Sequence, residues 1–313
     1  MNDYPLISVV VATYNGAKFI GAQLDSIITQ TYPNIEIIIV DDNSTDETQQ
    51  ILHQYAATYE NIKVHINATN LGYVKNFEKG MVLATGDFIA PSDQDDIWLP
   101  EKLSTLMHER GDHVIVYCNS ILIDEQNNKI GKKLSDIKRL ISYDNPIMFA
   151  VGNAAPGHAM LIKKELITKT IPFPNMIPHD YALGYMACFF GGLKYVDQPL
   201  VLYRQHQNNV FAAVKIADSQ TQRSRRTREK KKAAETEKIR ERVTWLYNTC
   251  AETHITEKIF FKRMLDAYSS FSFLNNCSRV ALFLKYRDLI LAHKNRSELR
   301  KILYAFKLFF KIV

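Results

Sequence analysis

The sequence is poor in the features that most often reveal a function. Four cysteines occur in 313 residues, Cys118, Cys188, Cys250 and Cys277, far apart and with no CxxC pair. Neither a disulfide framework nor a thiolate zinc site is expected from that spacing. No apolar run approaches the roughly 18 residues that would span a bilayer. The opening stretch, MNDYPLISVVVATYNG, lacks a basic segment and a small-residue cleavage pattern, so no signal peptide is expected and the default compartment is the cytoplasm. Glycine is also scarce, with 12 residues. None of them forms G-x-G-x-x-G or G-x-x-x-x-G-K-[ST], so phosphates are not cradled here by a glycine-rich loop.

What the chain does have is an ordinary globular composition, 46% hydrophobic and 23% charged, with an uneven charge distribution. Through residue 214 there are 16 Lys/Arg against 23 Asp/Glu; beyond it there are 23 against 10. An acidic body of residues 1–214 is thus joined to a strongly basic extension, 215–313, and the two halves point to two tasks.

The acidic body alternates. LISVVVA and IEIIIVDD are short β-branched runs of the kind that fill a parallel sheet buried on both faces. Helical patterns follow each, the second opening with capping residues in NSTDETQQ. NIKVHI, DFIAPS and HVIVYCNSILID continue the strands to about residue 124. This predicts an α/β sheet flanked by helices with right-handed crossovers. From 125 to 150 the pattern blurs, and EQNNKIGKKLSD reads as a solvated loop.

Three chemically loaded stretches fall at the carboxyl ends of predicted strands: TYNG, DDNS and SDQDD. Any one acidic turn is ordinarily a solvated loop or a helix cap. Three of them on the edge where open α/β sheets bind ligands favour a shared pocket. Asp93 and Asp95, two residues apart on a strand, would share a face. Hard oxygen ligands of this kind suit Mg²⁺ or Mn²⁺, which leaves positions open for substrate phosphates.

Taken together, ISVVVATYNG, IIIVDDNSTDET, NLGYVKNFEKG, ATGDFIAPSDQDDIWLPEKL, PHDYALGYMA and PLVLYRQHQNN resemble the family 2 glycosyltransferases with the GT-A fold. The form SDQDDIW, followed by HD and YRQHxxN, is most similar to a bacterial branch that includes rhamnosyltransferases of surface-polysaccharide (O-antigen or capsule) assembly. The resemblance spans about residues 5–211. It implies sugar transfer, with inversion, from a nucleoside-diphosphate-sugar to a saccharide or lipid-linked acceptor. The donor would be a UDP- or dTDP-sugar, dTDP-rhamnose among them.

By motif, Thr13, Tyr14 and Asn15 would line the nucleoside pocket. Asp42 would accept the pyrimidine N3–H, which uracil and thymine share, and Lys75 would lie near the nucleotide. Asp93 and Asp95 match the D-x-D element, with His206 as a further metal ligand and Arg204 near the donor phosphates. Asp96 is expected as a cap of the following helix and Trp98 as a structural anchor. Asp180 matches the catalytic base, a role compatible with capping its own helix; His179 would orient it or pack beside it. Two rivals are a nucleotidyltransferase, whose usual basic Gly-rich first loop is absent, and a non-catalytic nucleotide-sugar-binding scaffold.

The basic extension lacks aromatics interleaved with its charges, so nucleic acid is not the expected partner. RSRRTREKKKAAETEKIRER and the C-terminal SELRKILYAFKLFFKIV, with Ile302, Leu303, Phe306, Phe309 and Phe310, suit an anionic membrane surface at the inner face of the cell membrane. A helix packed on the body or in a homodimer is the competing expectation.

Overall fold

The computed structural model describes residues 4–206, 225–270, 272–294 and 297–311, with the side chains of 225–236 and 308–311 outside that description. The chain divides into two compact units, residues 1–144 with 154–214 and residues 145–153 with 215–313. A single cut near residue 214 therefore omits one feature: the stretch 145–153 belongs with the C-terminal helices.

The first unit runs β1 (Ile7–Thr13), α1 (Ile20–Ile28), β2 (Ile35–Asp41), α2 (Thr48–Thr58), β3 (Ile62–Ile66), α3 (Tyr73–Leu83), β4 (Phe88–Ser92), β5 (Ile97–Trp98) and α4 (Lys102–Glu109). It continues with β6 (Ile115–Ile123), β7 (Lys129–Lys133), α5 (Leu134–Ile137), β8 (Met160–Lys163), α6 (Lys164–Thr170), α7 (His179–Ala187) and β9 (Leu193–Arg204). The strands form one mixed sheet in the order β3-β2-β1-β4-β8-β6-β9-β5, with β7 added to β6. The first four strands are mutually parallel. β8 runs antiparallel to both β4 and β6, and β9 is parallel to β6.

The β-branched residues explain the centre. Val9, Val11, Ile37 and Ile39 line one buried cluster with Leu24 and Ile27 of α1 and Leu52 of α2. Val10, Ile38 and Val40, pointing to the other face, are equally buried. Burying both faces satisfies the strands only if their edges are paired, and it leaves loops at the carboxyl ends as the places where polar groups can gather.

The stretch expected as a solvated loop contains β7 and α5. Ile121 pairs with Lys133 and Ile123 with Lys129 across a hairpin. Asn127, at φ +68°, closes it, and the Asp124 carboxylate accepts from the amides of Gln126 and Asn128. All five residues of β7 are exposed, so no hydrophobic alternation betrays the strand; the turn chemistry was the available signal.

The second unit contains α8 (Arg225–Thr249), α9 (Ile255–Tyr268), α10 (Phe273–Lys285), α11 (Arg287–Ile290) and α12 (Glu298–Lys311). Val243, Leu246, Phe260, Phe261, Met264 and Phe283 are buried in it. Ser272 caps α10 by accepting from the Asn275 amide.

One buried charge ties the start of β4 to the sheet. The Glu36 carboxylate accepts from the Ser8 hydroxyl at 2.6 Å and from both the amide and hydroxyl of Thr85 at 2.7 Å, with Lys63 at 3.2 Å. Burial alone would raise its pKa, but these donors hold it down to about 2. A depressed folded pKa stabilises the protein above the unfolded value and loses that contribution as pH falls toward the folded one. Glu36→Gln is therefore expected to cost about 1–3 kcal/mol at pH 7 by denaturant titration. The gap from wild type should shrink between about pH 4.5 and pH 2. A gap independent of pH would contradict this account of Glu36.

Candidate active site

The three loops at the carboxyl ends of β1, β2 and β4 are bonded to one another. After β1, the Tyr14 amide donates to Gln94 Oε1 at 2.8 Å, and Gln94 Nε2 donates back to the Tyr14 carbonyl at 3.2 Å. A Cβ on Gly16 would lie 2.4 Å from that Gln94 oxygen, so the pairing needs glycine there. Asn15, at φ +48°, turns its side-chain oxygen to the Thr45 amide, and its own amide donates to Ser44 Oγ. Thr13 Oγ1 donates to Asp41, which also accepts from the Ser44 amide. Of the expected nucleoside residues, Thr13 is buried while the Tyr14 ring stays 46% exposed.

Asp42 is heavily engaged. Its two oxygens accept from Asn67 Nδ2 and from the amides of Leu71 and Gly72, each at 2.8 Å. A carboxylate has about four acceptor positions, so about one remains for a ligand. These bonds shape the 67–72 loop that leads into α3. Lys75, on that helix, is committed to Glu78 at 2.9 Å and to the Phe173 carbonyl at 2.8 Å. Its ammonium is not gathered with the acids.

Asp93, Asp95 and Asp96 do not lie on a strand, contrary to the expectation from alternate spacing. β4 ends at Ser92, and the acids occupy the turn before β5. Arg204, at the end of β9 and 1% exposed, holds this turn. Its Nε donates to the Asp95 carbonyl at 2.7 Å, and its amide to Asp96 Oδ1 at 3.1 Å. Nη1 reaches Asn127 Oδ1 and the carbonyls of Asp124 and Glu125. The guanidinium also lies over the Phe19 ring, 4.6 Å from its centroid. Arg204 is thus a buried clamp on the acidic turn and the 124–127 hairpin, not a free cation awaiting phosphates.

Asp96 is not a helix cap either, because the helix after it starts at Lys102 with Glu101 as its cap. It is fully buried, and its Oδ2 finds no hydrogen-bond partner among the described residues. Burial, and then Asp95 and Asp93, push its pKa well above the carboxylate range.

Two donor sets converge on this turn. Asp95 Oδ2 lies 2.7 Å from His206 Nε2, and these side chains are 13% and 10% exposed. Asp93, Asp96 and His158 each place one ligand atom within 4.8 Å of the others. His158 Nδ1 stands 3.8 Å from an oxygen of each acid, and its Nε2 meets Ser120 Oγ at 3.1 Å. Burial, then the charges of Lys102 and Lys138, keep His158 neutral, its pKa down to about 3. A neutral imidazole among carboxylates is a chemically suitable partner for a hard divalent cation. Asp93, with its side chain 44% exposed, is the member that faces outward.

Lys102 and Trp98 complete the floor. The Lys102 ammonium is fully buried, donates to the His158 carbonyl at 2.7 Å and sits over the Trp98 ring. Trp98 itself is 2% exposed, in keeping with an anchoring part.

Asp180 approaches the same turn from the start of α7. It lies in the helix's first turn, with Pro178 as the cap residue, and accepts from the Tyr181 amide at 2.7 Å. Gly157, next to His158, permits the approach: a Cβ there would be 3.4 Å from the Asp180 Cβ and 2.7 Å from His179 Nε2. Burial pushes the Asp180 carboxyl up to about 6, and its charge in turn helps raise Asp93. His179 makes no bond to Asp180; its buried ring packs 4.2 Å from Phe77, centroid to centroid. Tyr73, 38% exposed, meets His179 edge-on at 6.4 Å.

Neither His158 nor Lys102 belongs to a motif that the sequence offers as a site. Nothing in PGHAM or PEKL advertises a partner, because the contacts are made across the sheet and not along the chain.

The family model for glycosyl transferase family 2 matches residues 8–169. A glycosyltransferase of Nostoc sp. without assigned activity is 29% identical over 227 residues, 70% of each chain. The dTDP-rhamnosyl transferase RfbG of Shigella flexneri is 32% identical over 220 residues, 65% of this chain and 74% of that one. Among solved structures, S. aureus TarS 1–349 in complex with UDP-GlcNAc superposes with a TM-score of 0.61 at 16% identity, covering 98% of this chain and 89% of the other. The mannosyltransferase PcManGT of Pyrobaculum calidifontis, in complex with GDP-Man and Mn²⁺, gives 0.52 at 15% identity over 99% and 88%. At such identities the two structures speak for the fold alone, and it is the GT-A fold.

Replacing the clamp should be costly even when charge is kept. Arg204→Lys is expected to lower unfolding stability by about 2–4 kcal/mol, since a single ammonium cannot make the forked contacts. Denaturant titration checks this; a change below about 0.5 kcal/mol would mean the turn is held by something else.

Proposed function

The chain belongs to glycosyltransferase family 2, and on that premise we propose that it transfers a sugar from a nucleoside diphosphate to an acceptor hydroxyl by one displacement with inversion. The observation that carries this reading is the approach of Asp180, on the start of its own helix and with its carboxyl raised to about 6, to an acidic turn whose Asp93 faces outward. A single displacement needs those two parts: a place for the leaving diphosphate and a base for the incoming hydroxyl.

Asp93, Asp95 and His206 would hold the divalent cation, Mg²⁺ or Mn²⁺. They are the more exposed donors of the turn, at 44%, 13% and 10% side-chain exposure, whereas Asp96 and His158, at 0% and 4%, stand behind them. When bound, such a cation offsets the charge that develops on a departing diphosphate. Asp96 and His158 then act by holding the turn, with Lys102 offsetting the carboxylate charge and donating to the His158 carbonyl from below.

The chain's own residues do the rest. Thr13, Tyr14 and Asn15 would border the nucleoside, and the remaining acceptor position of Asp42 would take a base N–H. The bond from the acceptor oxygen to the anomeric carbon forms as the bond from that carbon to the diphosphate breaks. The hydroxyl proton passes to a carboxylate oxygen of Asp180. Its raised pKa keeps it basic enough to accept that proton near neutral pH. A UDP- or dTDP-sugar donor and a saccharide or lipid-linked acceptor of surface-polysaccharide assembly fit this reading. The S. flexneri relative, by its name a dTDP-rhamnosyl transferase, supports rhamnose as the first sugar to try.

Asp180→Asn is expected to cut turnover about 10²–10⁴-fold while leaving donor affinity within about twofold of wild type. Because the working form is the carboxylate and burial raises its pKa to about 6, wild-type kcat/KM should fall as pH drops below that value and level off above it. Released nucleotide measured across pH, with donor affinity by titration, checks both. Wild-type turnover in the variant would remove Asp180 from the base's role and favour a nucleotide-sugar-binding scaffold.

A further inference from the structure

We propose that the exposed face of α12 seats the second unit on the surface of an anionic phospholipid bilayer. The proposal does not depend on the transfer chemistry above. Leu299, Leu303 and Phe306 are 67%, 57% and 47% exposed. At about 100° per residue their spacing of four and then three puts them within an arc of roughly 60°. Arg300 and Lys307, also exposed, flank that arc on one side. The opposite face is spoken for: Ala305 is 1% exposed, and Lys301 is paired with Asp288 and Glu298. The helix therefore has one face packed inward and one apolar strip with a cationic margin turned to solvent.

This corrects the expected strip in part. Ile302 is only half-exposed, Leu299 joins Leu303 and Phe306, and the side chains of Phe309 and Phe310 lie outside the described residues. No helix among the described residues is long and apolar enough to cross a membrane, so the strip would lie in the interface plane.

Charge selects the occupant. Residues 215–313 carry 23 Lys/Arg against 10 Asp/Glu. A second copy packed strip to strip would set Arg300 and Lys307 against their own counterparts, with only three apolar side chains per helix to offset the repulsion. An anionic bilayer answers both features, because the basic residues meet lipid phosphates while the apolar strip enters the acyl boundary.

The test uses the full chain without donor, sedimented with vesicles of pure phosphatidylcholine or of phosphatidylcholine with phosphatidylglycerol. Wild type is expected to partition onto the anionic vesicles at least about tenfold more than onto the neutral ones. Leu303→Gln with Phe306→Gln, and separately Arg300→Glu with Lys307→Glu, should each reduce that partition several-fold. Donor turnover in vesicle-free solution should be unchanged, which shows the variants are folded. Equal binding to both vesicles, or variants that bind like wild type, would overturn the proposal. So would a sedimentation-velocity result in which the first pair of substitutions turns a dimer into a monomer while lipid binding persists, since a second copy would then be the occupant.

Discussion

The constraint on which the rest of this molecule depends is the crowding of carboxylates at one mouth of the sheet. Asp93, Asp95 and Asp96 crowd one turn with Asp180 near Asp93, and burial plus mutual repulsion would favour protonation of some and expulsion of others. Arg204 answers part of this. Its guanidinium donates to the Asp95 carbonyl and to the carbonyls of Asp124 and Glu125 and the Asn127 side chain of the neighbouring hairpin, which fixes the turn that carries the acids. Lys102 answers another part from beneath. Asp93, its side chain 44% exposed, is left facing outward, with the Asp95–His206 pair beside it at 13% and 10%. On the proposed reading, such a site is pre-organised for a cation and a diphosphate.

The fold serves this arrangement. The parallel strands β1, β2 and β4 end at the same edge, and their loops are stitched by side chain to backbone bonds: Gln94 to Tyr14, Asn15 to Thr45, Asp42 to the start of α3. The antiparallel β8 brings Gly157 and His158 under the turn, and the smallness of Gly157 lets α7 bring Asp180 close. Asp180 held in the first turn of a helix and an acidic turn held by a buried arginine are separate devices, and each can fail without the other.

Much of this was legible in the sequence, for physical reasons. The β-branched runs marked the parallel strands because burial on both faces demands them. The acidic stretches pointed to one shared edge because three of them fall at the carboxyl ends of parallel strands, and the structure bonds those three loops to one another. What was missed depends on contacts distant in the chain. Arg204 reads as a phosphate-binding cation until its partners 77 to 109 residues away are seen. Asp96 reads as a helix cap until the helix is found to begin six residues later. β7 is hidden because an edge hairpin with every side chain in solvent has no hydrophobic period. The union of residues 145–153 with the C-terminal helices has no local signature either.

The measurement that bears most directly on the central claim is a titration of the protein with Mn²⁺, followed by electron paramagnetic resonance, with and without a nucleoside diphosphate. The account predicts one bound ion per chain whose affinity rises when the diphosphate is present, and loss of that binding in Asp95→Asn. Absence of binding in either condition, or wild-type binding in the variant, would contradict it.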